Sequence, residues 1–569
     1  MGPLCAGLAA ILIFPAAGGA RSVLAPGVTH ERKLIFNGGR PVVLHVVRTP
    51  RPSDLYRLRP VRARGPDRRQ TVPAMQARVS PQATAVGVNG DYFSFETGHT
   101  SGLFLSKGVL SARPSRARSA LALGQDGRLL LDVLPFRGEW RGTGSRHPIR
   151  ELNRPVVSPR VGLFTRFWGE ATPRARNAVE VVLSGISKTR LDAVLTGTVA
   201  AVERGGRTAI PAGGAVLQAR GAYRRLLLAE APVGSVVRVR LRIPDLPAGT
   251  LDGIGGGPGL VRNGRVVRQA DQGFSPAGYA VRHPRTAVGQ LANGRLLFVV
   301  ADGRSGSSYG LTTRALAEVM IDLGATTAMA LDGGGSSTIA FDARVLNAPS
   351  DGAPRTVATG LFLHYYGIYA PSPGGTILSP NGDGVGDRKT LAAKVVRRSR
   401  IRLRLLRPNG SVAWRRTRVV EPGWITRAVS NAGMPEGRWR WVVEATDTAA
   451  GHETRMARTF RVNKTLGYLR LSRETMRVRP RRGGRLRISV NVTRRARLGV
   501  VVLGADGRSR RALFRGQVEP ARQAWRWNGR RRSGAVVRAG TFAIRVTARN
   551  GLGAVSLRRS VRVIRSTRR

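Results

Sequence analysis

The segment Ala328-Met329-Ala330-Leu331-Asp332-Gly333-Gly334-Gly335-Ser336-Ser337 constrains this chain more than any other. An apolar run stops at one carboxylate and gives way to three glycines and two hydroxyls. Upstream, within 310–323, Leu316, Val319, Met320 and Leu323 fall at helical spacing. The pattern predicts a helix, then a buried strand, then a loop bare of side chains with Asp332 at the strand's end. Glycines let backbone N–H groups approach a ligand closely, and successive N–H groups can form an anion-binding nest. A tight turn with a capping Asp is the plainer alternative.

Other segments share this grammar. Gly87-Val88-Asn89-Gly90-Asp91-Tyr92-Phe93 follows a short apolar run. His283-Pro284-Arg285-Thr286-Ala287-Val288-Gly289 precedes an apolar strand over 296–300, which ends in Ala301-Asp302-Gly303-Arg304. Asn347-Ala348-Pro349-Ser350-Asp351-Gly352 leads to Arg355 and a further strand over 360–363. Polar groups thus recur where apolar strands stop, which is where a sheet protein places its chemistry.

In this order the motifs resemble the phosphodiester glycosidase family over residues 30–366. The Leu331–Ser337 and His283–Gly289 segments carry the resemblance most specifically. The family usually reads Asn-Gly-Gly-Phe-Phe where this chain has Asn89-Gly90-Asp91-Tyr92-Phe93, so the Asn carries over and Asp91 does not. The segment Val161-Gly162-Leu163-Phe164-Thr165-Arg166-Phe167-Trp168-Gly169 resembles the opening of the family's inserted β subdomain, expected here at 155–250. The core is expected to resume at the glycine-rich turn 253–260. The expected fold is an α+β catalytic core with a mixed sheet and this β-rich insertion.

The resemblance implies hydrolysis of a glycosyl–phosphate diester. Breaking that C–O bond develops positive charge on the sugar and negative charge on the departing phosphate, so the site needs cations or N–H donors and a carboxylate. Asp332 is the candidate nucleophile or general base, and Asp302 the second acid, with a turn-forming Asp-Gly as its alternative. Arg285 and Arg355 are candidates for gripping phosphate, since guanidinium holds its oxygens in bidentate fashion. Gly333, Gly334, Gly335, Ser336 and Ser337 would supply N–H and hydroxyl contacts. Asn89 and Asn347 would orient sugar hydroxyls or the phosphate, and His99 or His283 could protonate the leaving group.

At 569 residues the chain is long enough for two to four domains. Its start, an apolar run over 4–15 followed by small residues to Ala20, reads as a secretory signal over 1–20, although no Lys or Arg precedes the run. Cys5, the sole cysteine, falls inside it, so a mature form would hold no disulfide or thiolate. No later run reaches the length of a membrane span. A secreted or cell-surface protein is the expectation.

Near residue 370 the style changes. Pro371-Ser372-Pro373-Gly374-Gly375 reads as a linker. Two all-β Ig-like sandwiches are expected at 367–462 and 465–569. They resemble FlgD-type modules through Gly437-Arg438-Trp439-Arg440-Trp441 and Gly540-Thr541-Phe542. Asn381, Asp383 and Asp387 are spaced as calcium ligands but lack the closing glutamate of an EF-hand, so an Asx-rich turn is the alternative.

The formal net charge is +62, and 89 of the 95 basic residues are arginine. From residue 465 onward 29 arginines face three acids. That module is expected to bind an anionic cell-wall polymer. The arginines alternate along predicted strands without a zinc-finger, helix-turn-helix or RNA-binding signature, which argues against a specific nucleic-acid partner. With no Walker loop, dinucleotide fingerprint or His/Cys cluster, no cofactor is expected, a divalent cation near Asp332 being the one open addition. Two alternatives remain: a non-catalytic binder of cell-wall polyanions, and a glycosidase acting on a neutral glycan.

Overall fold

Short β-branched runs cut by Gly, Asn and Asp turns make the computed structural model 53% strand and 6% helix. It describes residues 21–565 except 66, 269–271, 374–376, 431–432 and 481. The expected signal with Cys5, and Gly374-Gly375 of the expected linker, lie outside the described residues. The chain divides into two units after Tyr366.

The first unit contains three antiparallel sheets that frame the candidate site. One orders its eight strands Ser22–Ala25, Val28–Asn37, Arg40–Arg48, Leu296–Ala301, Arg285–Leu291, Ala325–Ala330, Gly259–Arg262 and Arg265–Val266. Helix Thr313–Asp322 lies on it. The Thr312 hydroxyl caps that helix by accepting from the Ala315 N–H at 3.1 Å. Leu316, Val319 and Met320 of the helix join Leu44, Val46, Val299 and Ala328 in one core. A second sheet runs Arg344–Val345, Ile339–Phe341, Thr84–Asn89, Thr359–Tyr365, Tyr56–Arg62 and packs against helix Val72–Val79. The third runs Val109–Ala112, Phe104–Ser106, Asp252–Gly255, Ala120–Leu123, Leu129–Asp132.

The mixed sheet expected from the sequence is therefore corrected. A helix does connect Leu296–Ala301 to Ala325–Ala330, and the two strands run in the same direction. Strand Arg285–Leu291 lies between them and pairs antiparallel with both. The crossover that normally signals a parallel pair here steps over a neighbour, and helix makes up only 6% of the structure.

The β-rich insertion forms its own eight-stranded sheet, drawn from Arg137–Arg141 through Val236–Arg242. The sheet also includes strands that precede residue 155. Its core takes in Leu103, Leu105 and Leu110 from the third sheet, which fixes the insertion to the domain that carries it.

The second unit contains a duplicated plan. A five-stranded sheet runs Ile377–Leu378, Glu453–Val462, Gly437–Asp447, Ser399–Leu406, Val412–Val420 beside the pair Lys389–Val395 and Gly423–Val429. The next runs Thr475–Val478, Gly553–Arg565, Gly540–Asn550, Ala496–Leu503, Ser509–Val518 beside Leu466–Leu471, Leu486–Val492 and Ala521–Trp527. In both copies the first short strand pairs parallel with the last, and every other pairing is antiparallel. In the second copy Ile488 and Trp527 of one sheet share a core with Val500, Ile544 and Val561 of the other.

The Asn381 loop is an Asx turn. Asp387 accepts the N–H groups of Asn381, Gly382 and Gly384, while Asp383 accepts those of Val385 and Tyr468.

Arginines stand directly opposite one another on exposed faces of the last module: Arg545 with Arg558, Arg497 with Arg549, and Arg487 with Arg526. Like charges in cross-strand register are destabilising and screened by salt. Raising ionic strength from about 0.05 to 0.5 M should stabilise this module by on the order of 1 kcal/mol. Calorimetry of the full chain would read the gain; a midpoint that does not move with salt would show the repulsion to be already relieved.

Candidate active site

Antiparallel pairing brings several motifs to one end of the first sheet. Arg285 pairs with Ala301, and Ala287 with Ala330, so the start of one strand meets the ends of two others. Asn89 closes the central strand of the second sheet. Backbone bonds tie the loops together: Leu331 N–H to Thr286 O, Gly334 N–H to Pro284 O, and Gly257 N–H to Ala330 O, all at 2.9 Å. The Asp332 N–H donates to Gly90 O at 3.0 Å, joining the two sheets at the motif.

Asn89 is wholly buried, and its side chain is the hub of that junction. Nδ2 donates to Asp332 O at 2.7 Å, while Oδ1 accepts from Thr286 Oγ1 at 2.8 Å and from Thr338 N–H at 3.1 Å. The residue expected to touch substrate therefore faces inward and holds the backbone of Asp332.

Asp332 is half-buried and takes its own Gly333 N–H on Oδ1 at 2.9 Å. Burial pushes its carboxyl up to about 6, helped by the charge of Asp91. The Ser336 hydroxyl, the Gly333 N–H and Arg355 draw it down. Ser336, Ser337 and Thr338 are buried. Beyond that influence of Ser336 on Asp332, their hydroxyls have no close hydrogen-bond partner among the described residues. Such groups are uncommon in folded interiors.

The glycines serve two separate ends. Gly334 has φ +60°, the left-handed region that side chains disfavour. Gly335 lies so close to Arg355 that a Cβ there would fall 2.1 Å from Nη2. Arg355 in turn grips Asp351 through Nε and Nη2 at 3.0 and 2.7 Å, and lies over the Phe95 ring.

Arg285 is buried and holds three carbonyls: Leu311 through Nε at 3.0 Å, Gly278 through Nη1 at 2.9 Å and Val281 through Nη2 at 2.7 Å. It fastens helix Pro276–Tyr279 and the 311 loop to the strand end, which leaves it a strut more than a clamp. Asp302 belongs to another network. It accepts from Asn347 Nδ2 at 3.2 Å and Ala348 N–H at 3.1 Å, and its other oxygen lies 3.2 Å from His45 Nε2. Asn347 also donates to Ser337 O and accepts from Ile339 N–H, so it braces the loop behind Asp332. His99 stacks on Trp168 at 4.1 Å, and His283 Nδ1 lies 3.3 Å from Arg304 Nη2.

Two residues absent from the sequence-based site stand out. Asp91 is buried, with burial raising its carboxyl against the pull of Arg118. Arg118 Nη1 lies 3.8 Å from Asp91 Oδ1, and its guanidinium lies over Tyr92 at 5.1 Å and Phe274 at 5.9 Å. Tyr92 donates to Gly257 O, and the charge of Asp332 adds to the burial that raises its hydroxyl. A lone arginine among 89 carries no signal in the sequence. The replacement of a family glycine by Asp91 was the available hint, since a buried acid calls for a cation. Among the described residues no three acids, histidines or cysteines cluster as metal ligands.

This junction can place a carboxylate of raised pKa beside guanidinium groups and backbone N–H groups. Residues 189–364 match the phosphodiester glycosidase family model. The match includes the 283–289 and 331–337 motifs and begins after Asn89, Asp91 and Arg118. The SPbeta prophage-derived uncharacterized protein YomE of Bacillus subtilis (strain 168) is 40% identical over 85 residues, 15% of this chain and 13% of that protein. The chain thus spans about an eighth of the length of the curated relative it matches. A hypothetical protein from Synechocystis shares the fold at 22% identity and TM-score 0.53, covering 62% of this chain and 64% of that one. The zebrafish N-acetylglucosamine-1-phosphodiester alpha-N-acetylglucosaminidase catalytic domain, auto-inhibited by its pro-peptide, aligns at 15% identity and TM-score 0.32, covering 61% and 86%.

Proposed function

We propose that the first unit hydrolyses a glycosyl–phosphate diester, with Asp332 as nucleophile or general base. The observation that carries this reading is the Asp332 carboxyl, raised to about 6 at the foot of a glycine loop and backed by the phosphodiester glycosidase match. A base poised near the working pH is what proton abstraction from water requires. Arg118, beside Asp91 and Tyr92, and Arg304 and Arg355, beside the glycine loop, would answer the phosphate charge. Arg304 lies against Gly334, and Arg355 against Gly335. The Gly333–Ser337 stretch contributes N–H and hydroxyl groups to the sugar or the leaving phosphate. Arg285, Asn89 and Asn347 position; Asp302 stands behind Asn347 as the nearest brace.

The wider assignment belongs to the same proposal. A secreted protein carrying FlgD-type Ig-like modules, the last of them strongly basic, would meet its substrate in an envelope or extracellular glycopolymer. In that setting the modules hold the hydrolase near anionic wall polymer.

The test is release of reducing sugar from a synthetic sugar-1-phosphodiester, followed against pH. If the ionised Asp332 acts, kcat/KM should rise with pH along an acid limb of apparent pKa about 6. Equal turnover of a neutral glycoside would favour the ordinary glycosidase, and no turnover of either substrate the polyanion binder.

A further inference from the structure

Away from Asp332, the insertion and the third sheet enclose a cavity of about 530 Å³ whose charge is strongly unbalanced. Arg113, Arg116, Arg150 and Arg160 line it. Three of them converge on one buried acid, Glu151: Arg113 at 2.7 Å, Arg160 at 3.0 Å and Arg116 at 4.0 Å. Asp132, beside the lining residue Val133, is taken by Arg262 at 2.9 Å. Mutual repulsion shows in Arg116, whose guanidinium is weakened by burial and by Arg160 and Arg113. Four guanidinium groups gathered around one acid leave a local excess of positive charge, so the cleft fits an anionic ligand. Pro135 and half-buried Phe136 give it one apolar wall.

The cleft connects to the candidate site through a single short loop. Ser115 Oγ accepts from the Ala117 and Arg118 N–H groups and so shapes the turn that leads from Arg116 to Arg118. Two residues of chain span at most about 7 Å, and Arg118 already reaches Asp91 and Tyr92. Half-buried Arg154 lies between, sensing the charges of Arg113, Asp91, Glu151 and Arg118. Positive charge is thus continuous from one place to the other.

Building on the proposed hydrolase reading, we propose that this cleft is a remote subsite for a polymeric substrate, binding phosphodiester groups of the chain beyond the bond being cut. Arg116 and Arg150, both exposed, are its contact residues; Arg113 and Arg160 form its floor. A polymer engages both places, and a monomeric diester only the first.

The experiment uses the full chain and an oligomer of four glycerol-phosphate units, free or ending in a sugar-1-phosphodiester. The free oligomer should shield Arg116 and Arg150 from phenylglyoxal, read by mass spectrometry, while inorganic phosphate at equal phosphate concentration should not. R116Q/R150Q should raise KM for the oligomeric substrate about tenfold with kcat, and turnover of the monomeric diester, unchanged. Shielding by inorganic phosphate alone, no shielding, or a KM shift matched by the control R224Q/R225Q on the exposed helix Tyr223–Glu230 would overturn the subsite. If the wild type turns over neither substrate the hydrolase reading fails, and the shielding pattern still decides the cleft by itself.

Discussion

Asp332→Asn should abolish turnover of a sugar-1-phosphodiester while making the protein more stable at neutral pH. Removing a general base costs about 10²–10⁴-fold in kcat. The stability gain follows from linkage. The folded carboxyl titrates at about 6 against a reference value of 3.8, so between those limits the folded state binds more protons than the unfolded one. Stability from this group is therefore greatest below pH 4, falls as pH rises through 3.8 to 6, and stays low above. Asparagine keeps the shape and removes the charge, which should return up to about 2–3 kcal/mol at pH 7 and nothing at pH 3.5. Denaturant midpoints at the two pH values, beside kcat, supply the test. A variant equally inactive but destabilised at pH 7 would mean that the carboxylate serves structure and that the assay lost its enzyme for that reason.

Asn89→Ala should be the most damaging single change outside the carboxylate. It deletes three hydrogen bonds and strands the Thr286 hydroxyl, the Thr338 N–H and the Asp332 carbonyl. Buried groups left unpaired cost about 1–3 kcal/mol each, so a total near 3–5 kcal/mol is expected. Because Asp332 loses its backbone anchor, the surviving folded protein should also lose about 100-fold in kcat, as small displacements at a reacting centre do. Asn89→Asp keeps an acceptor for Thr286 and Thr338 but, when ionised, cannot donate to Asp332 O, so its stability should fall between the two. If Asn89→Ala folds as well as wild type and turns over normally, Asn89 is not the hub described above.

The motif at 328–337 was readable in the sequence because each part is local. Helical spacing gave Thr313–Asp322, an apolar run gave Ala325–Ala330, and the glycines gave the bend after Asp332. Strand direction was not readable, since nothing in 296–330 tells that Arg285–Leu291 slips between the strands a helix connects. The orientation of Asn89 and Arg285 also escaped, for a related reason. An asparagine or arginine at a strand end looks the same whether it turns toward solvent or collects backbone groups from the loops around it. Thr286 and Thr338, the partners that decide the matter for Asn89, are 197 and 249 positions distant. The cleft around Glu151 was hidden by composition, because one more arginine cluster is invisible against +62.

The bond from the Asp332 N–H to Gly90 O has a consequence for how the molecule fails. It crosses between two layers that each have their own apolar interior, one around Leu316 and one around Phe362. Partial opening that parts those layers, well short of global melting, would already disarm the acid. Heat inactivation should accordingly run ahead of the loss of far-ultraviolet circular dichroism, with lost activity serving as the early gauge of whether the two layers remain seated.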